Sequence, residues 1–327
     1  MSFSNGAAGD GSGRRRSFPG DLVSADMDVI QPFQLDRTSL RGRMVRLGPA
    51  LDEILTRHAY PEPVARLLAE TIVLATTLAA ALKYEGIFTL QTKGDGPVAY
   101  TVADITTVGD MRGYARFDAD RLAEQQSHKG FEADLGALLG SGYLAFTVDQ
   151  GEHMERYQGI VELRGARLSD AVRHYFRQSE QLATGIKAAV GKDDEGRWIG
   201  AAVMLQALPP EEAAFAADHM GGSRAEDWDR ALALLETVTE AELLDAALPV
   251  NRLLFRLFHE ETPRVFDRKA LRPGCRCSRE RVVTVLRSIA REELDDLRDD
   301  GKVKVTCEFC ATTYAFDDAD LDRVYGG

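Results

Sequence analysis

At 327 residues and 44% hydrophobic, with a mean hydropathy of -0.24, the chain is long enough for two or three domains and apolar enough to bury a real core. Its net charge of -12 argues against a sequence-independent nucleic-acid binder, which needs a basic footprint, and against adsorption to an anionic membrane. The longest apolar run, Thr71 to Leu82, is too short to span a bilayer, and no apolar stretch follows Arg14-Arg15-Arg16 to make an export signal.

Residues 1–30 are rich in Gly, Ser and Arg, bury too little to offset ordering entropy, and are expected as a disordered tail. From Gln31 the composition becomes globular. Leu40 to Leu55 carries apolar residues at helical spacing (Val45, Leu47, Leu51, Ile54, Leu55), which predicts a helix there. A second helix follows Pro61 and Pro63, with a wide apolar stripe from Val64 to Leu82. Ile87–Thr92 and Val98–Asp104 alternate as strands around the hairpin loop Lys93-Gly94-Asp95-Gly96-Pro97. Gly94-x-Gly96 lies between two strands, so it is no phosphate loop.

Met111–Phe117, Tyr143–Gln150 and Arg156–Leu163 read as further strands, Leu168–Gln181 as an amphipathic helix, and Ile186–Val190 and Trp198–Leu208 as the last two strands. Residues 31–208 therefore read as one α+β domain with a mostly antiparallel sheet. Pro209-Pro210 marks its end.

Residues 209–265 read as a helical linker. From Ala207 to Thr262 there are twelve Asp and Glu against four Arg and no Lys. Ser223-x-x-Glu226 and Thr239-x-x-Glu242 are capping boxes. The apolar stripes are Trp228, Leu232, Leu235, Val238 and then Leu253, Leu254, Leu257, Phe258. Helices this short are marginal alone and must lean on a neighbour. The pattern fits an ordinary helical linker first, and behind it a conditional element that stays folded only while both ends are held.

Residues 266–327 hold all four cysteines: Cys275-Arg276-Cys277, a gap of 29 residues, then Cys307-Glu308-Phe309-Cys310. Two close pairs joined by a loop are how a tetrahedral four-cysteine zinc site is written in sequence. Four such thiols without an export signal point to a reducing cytoplasm and to metal ligands rather than permanent disulfides. Four cysteines close the coordination sphere, so a catalytic zinc is not expected. About sixty residues with so small a core need a staple, and structural zinc supplies about 10 to 16 kcal/mol in small domains. Lys269, Arg272, Arg276, Arg279 and Arg281 lie close in sequence to the first pair and favour thiolates, the species that oxidants attack. From spacing alone a static staple and an oxidant sensor both stand, the staple ahead. No Ser-His-Asp set, H-E-x-x-H or nucleotide-binding loop is present, so neither an enzyme nor a nucleotide cofactor is expected. The six histidines show no ligand spacing, and Ser179-Glu180-Gln181 reads as a polar helix end.

Cys275-Arg276-Cys277-Ser278 with Cys307-Glu308-Phe309-Cys310 and Tyr314 closely resembles the 33 kDa chaperonin family, the bacterial redox-regulated heat-shock chaperones. The resemblance runs from about Phe33 through Arg41-Gly42, Tyr84-Glu85-Gly86, Gly94-Asp95-Gly96-Pro97, Arg112-Gly113-Tyr114, Tyr157-Gln158-Gly159, Tyr175-Phe176 and Leu257-Phe258-His259-Glu260-Glu261. It implies an ATP-independent holdase for unfolding client proteins, with no nucleic acid and no membrane involved. It implies one zinc held by Cys275, Cys277, Cys307 and Cys310 in an inactive reduced form. It also implies disulfides Cys275–Cys277 and Cys307–Cys310 on oxidation, zinc loss, opening of the linker, and a homodimer when oxidised against a monomer when reduced. The resemblance puts the sensor ahead of the staple. Pro273-Gly274 replaces a bulkier apolar residue, which is expected to loosen the zinc module. A zinc-ribbon nucleic-acid binder, a thiol oxidoreductase using Cys307 and Cys310, and a constitutive zinc-stapled interaction protein are the competing readings.

Overall fold

The computed structural model of the chain describes residues 26–38, 40–151, 157–180, 183–208 and 224–326. Two antiparallel strands come first, β1 (Val29–Leu35) and β2 (Leu40–Leu47). The expected tail lies outside the described residues as far as residue 25. Its last five residues, by contrast, are built into the fold. Asp28 accepts hydrogen bonds from the backbone N–H of Gly48 and Ala50, at the start of helix α1 (Pro49–Thr56). Asp26 accepts one from Val250 N–H, more than two hundred residues away.

The helix expected over Leu40–Leu55 is instead a strand followed by a short helix. The reason is burial on both faces of β2. Met44 points into one core and Val45 and Leu47 into another, so the alternation that announces a half-exposed strand is absent. Gly48 and Pro49 then let the chain turn into α1.

Helix α2 (Glu62–Ala79) is apolar on nearly every side, from Val64 to Ala79. It packs on strands of both large sheets, which is where a helix hydrophobic all round belongs. Its threonines are satisfied locally: Thr71, Thr76 and Thr77 each donate to the carbonyl four residues back, and Thr71 also meets Thr101 at 2.9 Å. The helix stops at Ala79, short of the expected Leu82, which is 40% exposed.

Beyond α2 come β3 (Ile87–Gly94), β4 (Val98–Thr106) and β5 (Asp110–Phe117), then α3 (Ala119–Ser127), α4 (Leu135–Leu139), β6 (Gly142–Asp149) and β7 (Tyr157–Glu162). The expected hairpin between β3 and β4 is present. Helix α5 (Leu168–Tyr175) passes into a π-turn at Phe176–Glu180, and Gln181 lies outside the described residues. Glu70 of α2 accepts from Ser169 N–H in the first turn of α5. Burial pushes its carboxyl above the usual value, against that hydrogen bond. Strands β8 (Thr184–Lys192) and β9 (Trp198–Ala207) follow.

The linker holds α6 (Arg224–Glu236), α7 (Glu240–Leu244) and α8 (Val250–Phe258). The Thr239–Glu242 capping box is formed, whereas Ser223 lies outside the described residues. Three short strands follow: β10 (Pro263–Val265), β11 (Lys269–Ala270) and β12 (Arg272–Pro273). The C-terminal module contains α9 (Arg279–Leu286), β13 (Arg298–Asp299), β14 (Lys302–Thr306), β15 (Thr313–Phe316) and α10 (Asp318–Tyr325).

The first sheet has the order β10-β1-β2-β9-β8, with β11 also paired to β1, and is antiparallel throughout. The second has the order β12-β5-β4-β3-β6-β7 and is antiparallel except that β12 runs parallel to β5. The α+β class with mostly antiparallel pairing expected from sequence is what the chain adopts, with two large sheets where one was expected.

Strand β9 shows how the layers stack. Ala202 and Met204 face α2, while Ala201, Val203 and Leu205 face the opposite way. That opposite face is covered by the linker. Ala231, Leu235, Val238, Leu243, Val250, Leu253, Leu254, Leu257 and Phe258 make one buried cluster with Phe33, Leu35, Leu40 and Met44 of the sheet. Each fully buried side chain of this size is worth about 1.5–3 kcal/mol, which is what holds helices too short to persist alone. A third, smaller cluster of Val282, Leu286, Leu294, Val303, Phe316, Leu321 and Val324 is the core of the C-terminal module.

Candidate metal centre

The first cysteine pair leaves the edge of the second sheet. Strand β12 pairs Arg272 with Asp110 and Pro273 with Met111, and Gly274 N–H donates to Met111 carbonyl at 2.7 Å. A Cβ at Gly274 would lie 2.7 Å from that of Asp110, so glycine is what lets the backbone lie this close to β5. Pro273-Gly274 is thus a fitted docking element, and the loosening expected from it has no counterpart in the contacts. Ser278 caps α9 immediately after the pair, accepting from Arg281 N–H.

The second pair sits in the turn between β14 and β15. Cys307 N–H donates to Thr312 carbonyl and Ala311 N–H to Cys307 carbonyl, both at 2.9 Å. Ala311 takes a φ of 55°, the left-handed conformation that closes the turn.

The two turns face each other. Cys275 Sγ lies 3.7 Å from Cys307 Sγ and Cys277 Sγ 3.3 Å from Cys310 Sγ, and all four sulfurs fall within 4.8 Å of one another. Four ligands at 2.3 Å around a tetrahedral zinc stand about 3.8 Å apart, so this donor set fits a zinc ion in both number and softness. Among the described residues it is the only such group of possible metal ligands. All four thiols are free and half-buried.

The thiols differ in acidity. Burial pushes Cys277 up to about 12, against the hydroxyl of Tyr314, which donates to its Sγ at 3.2 Å. Burial also raises Cys307. At Cys310 burial is outweighed by hydrogen bonds to Thr312 and the neighbouring thiols, and its value falls to about 6. A divalent metal removes the difference by taking every sulfur as thiolate.

The cations near the first pair in sequence mostly serve other partners. Arg272 pairs with Asp110, Arg276 with Asp104 and Arg279 with Asp320, while Arg281 donates to the Arg276 carbonyl. The cation that reaches a thiol is Arg112, whose Nη1 lies 3.9 Å from Cys275 Sγ. It also lies over the ring of Phe309, 3.8 Å from the centroid. Arg112 is 163 residues from Cys275, so spacing near the cysteines cannot find it. The only sequence signal was its place in Arg112-Gly113-Tyr114. Asp104 had no signal at all.

A family model described as Hsp33 protein matches residues 28–317. This chain belongs to the Hsp33 family. A 33 kDa chaperonin of Caulobacter vibrioides is 42% identical over 295 residues, covering 89% of this chain and 95% of the relative. The 33 kDa chaperonin of Escherichia coli is 35% identical over 298 residues, covering 91% and 94%. Among solved structures, the 33 kDa chaperonin of Thermotoga maritima superposes with a TM-score of 0.75 at 22% identity, covering 91% of this chain and 97% of that one, and so shares its fold. No helix of the described residues is long and apolar enough to cross a membrane.

Proposed function

We propose that this member of the Hsp33 family is a chaperone that binds unfolded polypeptide without ATP and is switched on by oxidation of its four cysteines. Membership of the family supports the chaperone role. The observation that carries the switch is the order of the chain: the linker that covers the outer face of the first sheet is followed directly, through β10, β11 and β12, by the four-thiol cluster.

In the reduced form Cys275, Cys277, Cys307 and Cys310 hold one zinc, which ties the two turns of a module whose own apolar cluster is small. Arg112 stands beside Cys275 and offsets thiolate charge. Peroxide or hypochlorous acid takes two electrons from each pair. With peroxide, two thiols become one disulfide and the peroxide leaves as two waters. The products are Cys275–Cys277 and Cys307–Cys310, a pairing taken from the family resemblance. The nearest sulfurs lie across the pairs, so closing a disulfide within either turn draws its thiols away from the other turn. With its four thiolates consumed as disulfides, the site would no longer hold a metal, so the module loses its staple and the linker loses the support at its C-terminal end. Phe33, Leu35, Met44 and the linker's own Leu253, Leu254, Leu257 and Phe258 then form an exposed apolar surface for client chains. The active form is a homodimer and the reduced form a monomer. Free thiols suit a reducing cytoplasm.

The test is light scattering by a chemically denatured client, with metal release read in parallel. Suppression of aggregation only after oxidation, together with zinc release, supports the switch. Equal suppression before and after oxidation leaves a constitutive holdase, and none in either state rejects the chaperone reading.

A further inference from the structure

Both cysteine turns rest on the second sheet at one point. Asp104 lies near the C-terminal end of β4 with Thr89 directly opposite in β3 and Arg112 directly opposite in β5. Its side chain is 6% exposed. One carboxylate oxygen accepts from the Thr89 hydroxyl at 2.6 Å. The other accepts from Arg112 Nε at 2.8 Å and Nη2 at 2.7 Å, and from Arg276 Nη2 at 2.5 Å.

Between them the two arginines reach both halves of the metal centre, and Arg112 touches each: its Nη1 lies 3.9 Å from Cys275 Sγ. Arg276 is the residue between Cys275 and Cys277. Arg112 carries the ring of Phe309, which stands between Cys307 and Cys310 and also faces Tyr114 at 6.1 Å. Thr89 and Arg112 are cross-strand neighbours, so the carboxylate is oriented by the sheet before the module arrives. Truncating one member of a buried charge group leaves the others buried without compensation.

We propose that Asp104 is the positioning residue that latches the four-cysteine module to the core and thereby sets how readily the thiols release metal to an oxidant. Asp104 touches no sulfur. It acts through Arg276 and Arg112 on the first pair and through Arg112 and Phe309 on the second. While the latch is closed, the two turns stay together over the sheet, and a disulfide forming within one turn has to pull it away from the other. With the latch open, the turns separate at lower oxidant exposure. The inference rests on the metal reading of the cluster given above.

The test uses the full-length zinc-loaded chain and the variants Asp104→Asn, Arg276→Met and the double variant. Metal release is followed with a chromogenic chelator at fixed peroxide, below the melting temperature of every variant. The expected result is one metal per chain in all four proteins before oxidant, and release about tenfold faster in each single variant, the factor that ~1.4 kcal/mol gives. The double variant is expected to be no faster than Asp104→Asn alone, because Asp104→Asn already opens the link that Arg276→Met opens. A role confined to folding lowers the melting temperature but does not produce this shared, non-additive rate. Unchanged release rates, or rates that multiply in the double variant, overturn the latch. Should Asp104→Asn fail to fold, Arg276→Met, on a side chain 31% exposed, carries the same comparison. A wild-type chain that holds no metal overturns the reading of the cluster itself, and with it the latch, and is told apart by the starting stoichiometry.

Discussion

Phe33 of β1 stacks on Phe258 of α8, with ring centroids 5.8 Å apart and 24° between the planes. One ring belongs to the sheet and the other to the linker, and both are fully buried. Gly42, the register partner of Phe33 in β2, leaves room for that ring: a Cβ there would come within 2.0 Å of Phe33 Cζ. The stack is the centre of the seam that the proposed activation must open.

Phe258→Ala removes one side of the stack and leaves a cavity in the seam. Large-to-small changes of this kind cost about 3–5 kcal/mol. The expected outcome is a linker cut rapidly by protease in the reduced, zinc-loaded protein, and measurable suppression of client aggregation without oxidant. A linker as protease-resistant as that of the wild type would mean that α8 is held by something other than this seam.

Chelation of the metal at constant reducing potential should unfold the C-terminal module and leave the helix-centred core folded. Among the described residues of 266–327, seven apolar side chains are buried in their own cluster, whereas α2 is wrapped by both large sheets. Structural zinc contributes about 10–16 kcal/mol in such modules. Amide exchange is the measurement: protection should vanish in α9, β14, β15 and α10 while α2 stays protected. An unchanged circular dichroism spectrum after complete metal removal would contradict the expectation.

Glu70 should make stability fall as pH rises. Its folded value stands above the usual 4.5, chiefly through burial. Between 4.5 and that raised value the folded chain binds more protons than the unfolded chain, so stability is lost as pH climbs through the window. Glu70→Gln keeps an acceptor for Ser169 N–H and removes the titration. Urea midpoints from pH 4 upward should decline less steeply in the variant. Parallel curves for the two proteins would show that Glu70 is solvated well enough to ionise without cost.

The sequence by itself determined the pieces. Spacing marked the two thiol pairs, alternation marked β3 and β4, and Thr239-x-x-Glu242 marked the start of α7. These signals are local: a cap, a turn or a periodicity is written within a few residues of where it acts. Where a strand is buried on both faces the period disappears, which is why Leu40–Leu47 read as helix. Asp26 and Asp28 looked like tail because their partners, Val250 N–H and Gly48 and Ala50 N–H, are named by no local pattern. Only the tertiary structure decided which surface the linker's stripes cover, and that the two cysteine turns meet over Asp104 and Arg112. A stripe records that a face is apolar and not what lies against it. Partners more than a hundred residues apart are chosen by sheet order and register, which emerge only when the whole core packs.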